Sequence, residues 1–240
     1  MVEWIIDAEF LLIPHPRHPG VQVEQGFWGI YQTMSLADPN TGVTTAQNAT
    51  EGVAKLAGDA GTVVASGHSL GSALATYFTD DLAERIGPRA SACLFASPRT
   101  GDAAWANLFD AEVQSYQLYN YILDLVTHVP SIGYATLPKA TVIQPDAAKA
   151  AIRLDLFCDH HVICYCAMIN YTKTMAAPTT DQDASCKACI SGPATAIPAS
   201  VKGLAMVVND LGVGDTIAVK LLKALHPKAR VKLASAPPAL

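Results

Sequence analysis

The 240-residue sequence predicts an α/β fold: a mainly parallel sheet with flanking helices. Three observations carry that expectation. The β-branched run Thr62-Val63-Val64-Ala65 enters the pentapeptide Gly67-His68-Ser69-Leu70-Gly71, and an Ala/Leu-rich helical pattern leaves it; this is the strand, turn and helix setting of a nucleophile elbow. Strand patterns at 91–96 and 114–119 then alternate with helical ones at the spacing of βαβ units. Half of the residues are apolar and 15% are charged, which argues against disorder over most of the chain and supplies a substantial core.

Taken in order, Glu3 to Phe10 reads as a short amphipathic helix. Pro14-His15-Pro16-Arg17-His18-Pro19-Gly20 is breaker-rich and reads as a rigid surface loop, with a metal site at His15 and His18 as the alternative. A helix begins at Gly26 to Tyr31, Asp38 to Gly42 is a turn, and Thr44-Thr45-Ala46-Gln47 reads as a capping box opening a helix towards Leu56. At the elbow, the positions two before and two after the serine must be small, and both are glycine, Gly67 and Gly71. The elbow helix stops at Gly87-Pro88. Strand 91–96, a helix from Ala103 to Phe109 and strand 114–119 follow. A short edge strand is expected within Pro138 to Pro145, and a helix from Asp159 to about Tyr171. The composition then shifts to Ala, Pro, Thr and Ser. The expected organisation is a core over 1–172, a linker over 173–200 and a basic helical extension over 201–240.

The formal net charge of −5 gives no reason to expect nucleic acid, and no apolar run is long enough to span a bilayer. Met1-Val2-Glu3-Trp4 lacks a basic n-region, so as written the chain is not addressed for export and reads as cytoplasmic, its location otherwise unknown. On that ground the sequons at Asn48 and Asn170 read as accidental. Cys93 reads as a buried thiol, and Cys186-x-x-Cys189 lacks the second pair that a zinc site needs.

Chemistry at Ser69 requires a base for its hydroxyl proton and a third group to orient that base. In a parallel sheet such groups collect beyond the carboxyl ends of the strands. Asp124, following strand 114–119, is the best-placed acid; Asp102 and Asp110 flank a helix. His128 is too close to Asp124 and His226 lies in the basic tail, which leaves the His160-His161 pair. The Leu70 amide, at the helix N-terminus, is the candidate oxyanion donor.

These residues resemble the class 3 lipase family. Gly67 to Gly71 matches its G-H-S-L-G, and Phe95-Ala96-Ser97-Pro98-Arg99-Thr100-Gly101-Asp102 its F-x-S-P-R-x-G-[ND]. Asn120, Asp124, Val126 and Pro130 fall on its N-x-x-x-D-x-V-P-x-x-P, with Thr127 replacing the first proline. His160, Val162 and Tyr165 fit its H-x-[hydrophobic]-x-x-Y, which selects His160 over His161. Trp4 to Asp7 and Gly26-Phe27 are similar to its lid helix and the following G-F-x-x-x-Y.

The resemblance covers about residues 3 to 172. It implies an α/β-hydrolase-like fold and acyl ester hydrolysis through an acyl-enzyme, with Ser69, Asp124 and His160 catalytic. Leu70 would serve as oxyanion donor, and Trp4, Ile5 and His68 would bind substrate. It implies no metal or organic cofactor. The partner is an ester or lipid substrate, met at a lipid–water interface through the lid-like helix.

The family's R-G-[ST] motif, whose amide supplies a second oxyanion donor, has no counterpart before Glu3. The expectation is therefore an N-terminally incomplete hydrolase, at a cost on the order of 10²–10³ in turnover. Phospholipase A1, feruloyl esterase and a noncatalytic lipid-surface-binding relic are the alternatives to a lipase or carboxylesterase.

Overall fold

The computed structural model describes residues 10–143, 152–153, 156–177 and 187–190. They fall into two compact units, one comprising 11–119 and 133–141, the other Phe10, 120–132 and the described residues from 142 onward. The lid-like helix expected at 3–10 and the basic extension at 201–240 lie outside the described residues.

The first unit opens with an antiparallel pair, β1 (Leu12–Pro14) and β2 (Gln22–Glu24), around the proline-rich loop. That loop is not wholly at the surface: His15 is buried, its ring stacked 5.6 Å from that of Trp105. Glu24 caps α1 (Gln25–Gln32) by accepting the Phe27 amide at 2.6 Å. The helix buries Phe27, Trp28 and Tyr31. Tyr31 reaches two polar partners, the Thr50 hydroxyl at 2.9 Å and the buried Asp81 carboxylate, which also binds Arg17.

The expected capping box at 44–47 is instead a strand. β3 (Leu36–Ala37) pairs with β4 (Thr44–Ala46), and Asn48 caps α2 (Ala49–Ala57) by accepting the Glu51 amide at 2.9 Å. Thr44 and Asn48 are each followed three residues later by Gln or Glu, and the β-branched threonines went to the ladder, where χ1 restriction costs least. Asn170 acts likewise for the Lys173 amide. The two sequon asparagines therefore serve as helix caps.

β5 (Val63–His68), α3 (Leu70–Ile86), β6 (Ala90–Phe95), α4 (Ala103–Glu112) and β7 (Ser115–Tyr121) follow as expected. β5 and β6 are parallel, with Gly67 opposite Leu94 and His68 opposite Phe95, and β6 and β7 are also parallel. The sheet order is β5-β6-β7-β8, with β8 (Ala140–Ile143) at one end. At the other end, Val64 of β5 is 66% exposed. Gly87, at φ 59°, ends α3 in a left-handed conformation that glycine adopts without steric cost. The core is aromatic: Tyr77 of α3 packs edge-on against Trp28 at 5.1 Å and beside Trp105 at 5.2 Å. Their polar ends are satisfied within the same core, Tyr77 Oη donating to Thr100 O and Trp105 Nε1 to Thr100 Oγ1. Cys93, on β6, is partly exposed rather than buried.

In the second unit the helix expected from Asp159 to Tyr171 is three helices: α5 (Leu156–His160), α6 (Val162–Ile169) and α7 (Tyr171–Ala176). The first break falls at His161, whose Nδ1 accepts the Ile163 amide at 3.3 Å. A disulfide joins Cys158 to Cys189, so part of the expected linker is covalently tied to α5. Arg153 N adds a 2.8 Å hydrogen bond to Cys189 O. Lasting disulfides are characteristic of oxidising compartments. No helix among the described residues is long and apolar enough to cross a membrane.

Candidate active site

The apolar alternation of β5 delivers the chain to a turn at Ser69, and the Ala/Leu pattern of α3 takes it away. Ser69 sits at φ 59° and ψ −128°, a region that a non-glycine residue occupies at a cost of about 1–3 kcal/mol. Backbone hydrogen bonds hold it there. Its N–H donates to Phe95 O at 3.1 Å, and its carbonyl accepts from Ser72 N at 2.9 Å and Ala73 N at 3.2 Å. The Ser69 side chain makes no capping hydrogen bond, so the helix does not consume the hydroxyl. Leu70 is the first residue of α3; its N–H lies outside the helical ladder and on the positive end of the helix dipole. His68 ends β5 and is half-buried.

The two elbow glycines are not equivalent. A Cβ on Gly67 would lie 2.2 Å from Gly71 O and 2.4 Å from Gly71 C, whereas one on Gly71 meets nothing within 4 Å. The requirement for a small residue at both positions therefore holds for Gly67 alone. A second strained residue, Ala96 at φ 52°, follows β6 and has no sequence signal, because alanine disguises it.

In the second unit Asp124 and His160 are brought together. Asp124 is 1% exposed and begins the short 3-10 turn Leu125–His128. Its Oδ1 accepts the Val126 amide at 3.0 Å. Its Oδ2 accepts from His160 Nδ1 at 2.8 Å and from the Tyr165 hydroxyl at 2.7 Å. With the carboxylate ionised, the His160 proton sits on Nδ1, so the lone pair is on Nε2. His161 has its Nδ1 committed to the α6 cap and its ring 5.1 Å from Phe157. His128 contacts Ile122 O through Nε2 at 3.0 Å.

Tyr165 matches a motif position, but its role emerges only from the structure. It is fully buried on α6, and its hydroxyl donates to Asp124 while accepting the Tyr121 amide at 2.8 Å. Burial, reinforced by the Asp124 charge, pushes the phenol well above its ordinary range, so it stays a donor. Trp4 and Ile5 lie outside the described residues.

A buried carboxylate holding an imidazole by Nδ1 produces a general base at Nε2. A strained serine at a helix N-terminus combines a nucleophile with an oxyanion donor. This chain carries both arrangements.

The family model described as lipase (class 3) matches residues 1–134, more than half of the chain. The secreted mono- and diacylglycerol lipase A of Penicillium cyclopium is 30% identical over 152 residues, covering 62% of this chain and 46% of that protein. Phospholipase A1-IIgamma of Arabidopsis thaliana is 28% identical over 155 residues, covering 56% of this chain and 37% of that protein. The chain thus spans less than half the length of either relative. Among solved structures, a mutant form of MDLA from Penicillium cyclopium aligns with a TM-score of 0.51 at 26% identity, covering 61% of this chain and 52% of that one. With the elbow and the motif order both matching, the chain belongs to the class 3 lipase family.

Proposed function

We propose that this chain is a serine carboxylic ester hydrolase acting on acylglycerols or similar lipid esters. The observation that carries the reading is the 2.8 Å hydrogen bond from His160 Nδ1 to a buried Asp124 held by two further donors. Ser69 Oγ attacks the ester carbonyl while His160 Nε2 takes its proton. The oxyanion that forms faces the Leu70 N–H, and collapse expels the alcohol, which receives the proton from His160. Water then repeats the sequence on the acyl-enzyme, releasing the fatty acid and regenerating Ser69. His68, beside the nucleophile in sequence, contributes to substrate binding, and the segment containing Trp4 and Ile5 meets the lipid–water interface.

The similarity to the Penicillium lipase favours neutral acylglycerols, and the Arabidopsis relative makes phospholipase A1 the second reading. Hydrolysis of p-nitrophenyl butyrate and fluorophosphonate labelling test the reaction. Both should vanish in Ser69→Ala and in His160→Ala, while His161→Ala retains them. Equal loss in the two histidine variants, or turnover surviving in Ser69→Ala, refutes the assignment. Release of fatty acid from diacylglycerol but not from phosphatidylcholine separates the two readings.

A further inference from the structure

The loop at 14–20 and the second half of α3 bring together two imidazoles and a carboxylate that the proposed reaction does not use. His15 Nε2, His18 Nε2 and Asp80 Oδ1 are enclosed and have no hydrogen-bond partner. His15 is 4% exposed and Asp80 1%; the His18 side chain is more open, at 26%. Buried polar atoms left unpaired are rare because each forfeits its hydration. Three that converge point to something that satisfies them together.

One ligand atom from each residue lies within 4.8 Å of the other two. Atoms so spaced share a central point about 2.8 Å from each at most, against bond lengths of about 2.0–2.2 Å to zinc. Closure asks each ligand to move by less than about 1 Å, and His18, the most exposed, has room to do so.

Charge points the same way. Arg17 is shared among three carboxylates, pairing closely with Asp81 and lying 3.4 Å from Glu84 and 3.7 Å from Asp80. Three carboxylates share this one guanidinium, an acidic surplus that favours a further cation. Glu84 Oε1, 3.3 Å from His18 Nε2 and 3.4 Å from Arg17, borders the same cluster. Two imidazoles with carboxylate suit zinc and its neighbours rather than calcium or magnesium, which prefer oxygen throughout.

We propose that His15, His18 and Asp80 bind a divalent transition metal of zinc's class, clamping the 14–20 loop to the helix that starts after Ser69. His15 Nδ1 accepts the Arg17 amide at 3.2 Å, so without metal the ring proton is on Nε2. Coordination moves that proton to Nδ1 and exchanges a long amide contact for a metal–nitrogen bond. No oxidation or reduction is involved.

The test uses the untagged full chain, stripped with EDTA and titrated with Zn²⁺ against a competing chromophoric chelator. One equivalent should bind, with affinity weakened roughly tenfold or more in His18→Ala and in Asp80→Asn, and unchanged in His160→Ala. Co²⁺ should give the visible bands of a four-coordinate site in the parent and not in His18→Ala. Zn²⁺ should raise the melting midpoint of the parent and leave that of His18→Ala unmoved. Should Asp80→Asn fail to fold, His18→Ala, altering a partly exposed loop residue, still decides the matter. Absence of a bound equivalent, or binding that survives His18→Ala intact or depends on His160, overturns the proposal; none of these results depends on esterase activity.

Discussion

Removing one oxygen atom, in Tyr165→Phe, tests the account of how Asp124 is held. The hydroxyl makes a 2.7 Å hydrogen bond to a carboxylate and receives a 2.8 Å one from the Tyr121 amide. A hydrogen bond to a charged acceptor contributes about 1.5–3 kcal/mol, and a buried amide left unpaired costs about 1–3 kcal/mol more. Both groups are enclosed, so solvent recovers little of this, and the expected destabilisation is about 3–5 kcal/mol. For a chain of this size that lowers the melting midpoint by roughly 6–20 °C. Asp124 keeps the Val126 amide and His160, so kcat/KM should fall by about tenfold and not by the several orders of magnitude expected of a lost triad member. Thermal denaturation with p-nitrophenyl butyrate kinetics on the same preparation measures both. A midpoint within a degree or two of the parent would refute the claim that Tyr165 bridges the carboxylate and the sheet.

Asp124→Asn should leave the fold intact yet reduce kcat on the order of 10⁴-fold, because the amide no longer fixes the His160 tautomer; a loss under tenfold by steady-state kinetics would remove Asp124 from the site. Gly67→Ala forces a Cβ onto the Gly71 backbone and should cost about 1–3 kcal/mol or more, whereas Gly71→Ala, opening onto free space, should gain up to about 1 kcal/mol in helix propensity. Equal melting midpoints for the two would contradict the elbow geometry. Cys189→Ser opens a loop of 31 residues that begins two positions before His160 and should destabilise the chain by about 2–4 kcal/mol, read by urea denaturation with and without reductant. Two additional free thiols in the unreduced parent would show that the bond does not form.

Much of the elbow was legible because its signals are local. A β-branched run, a Gly-x-Ser-x-Gly and an Ala/Leu pattern each act over a few residues, so β5, the turn and α3 follow from the sequence alone, as do β6, α4 and β7. The pairing of Asp124 with His160, 36 residues apart in the chain, could be anticipated from order and motif. Where two local signals competed, the sequence misled. Thr44 and Asn48 both open cap-like patterns, and only pairing with β3 sends the threonines into a strand and leaves Asn48 as the cap. The Cys158–Cys189 bond could not be read from spacing, since disulfide partners are chosen by proximity.

By itself, then, the sequence determined the α/β class, the elbow and the residues of the Asp–His pair, because helix period, strand alternation and turn chemistry are written into neighbouring residues. Only the tertiary structure decided which glycine the elbow needs, that Tyr165 anchors Asp124, that His161 caps a helix, and that His15 turns inward to meet His18 and Asp80. Each of these depends on what distant segments bring within a few ångströms, and burial then sets the energetic stake of every polar atom enclosed.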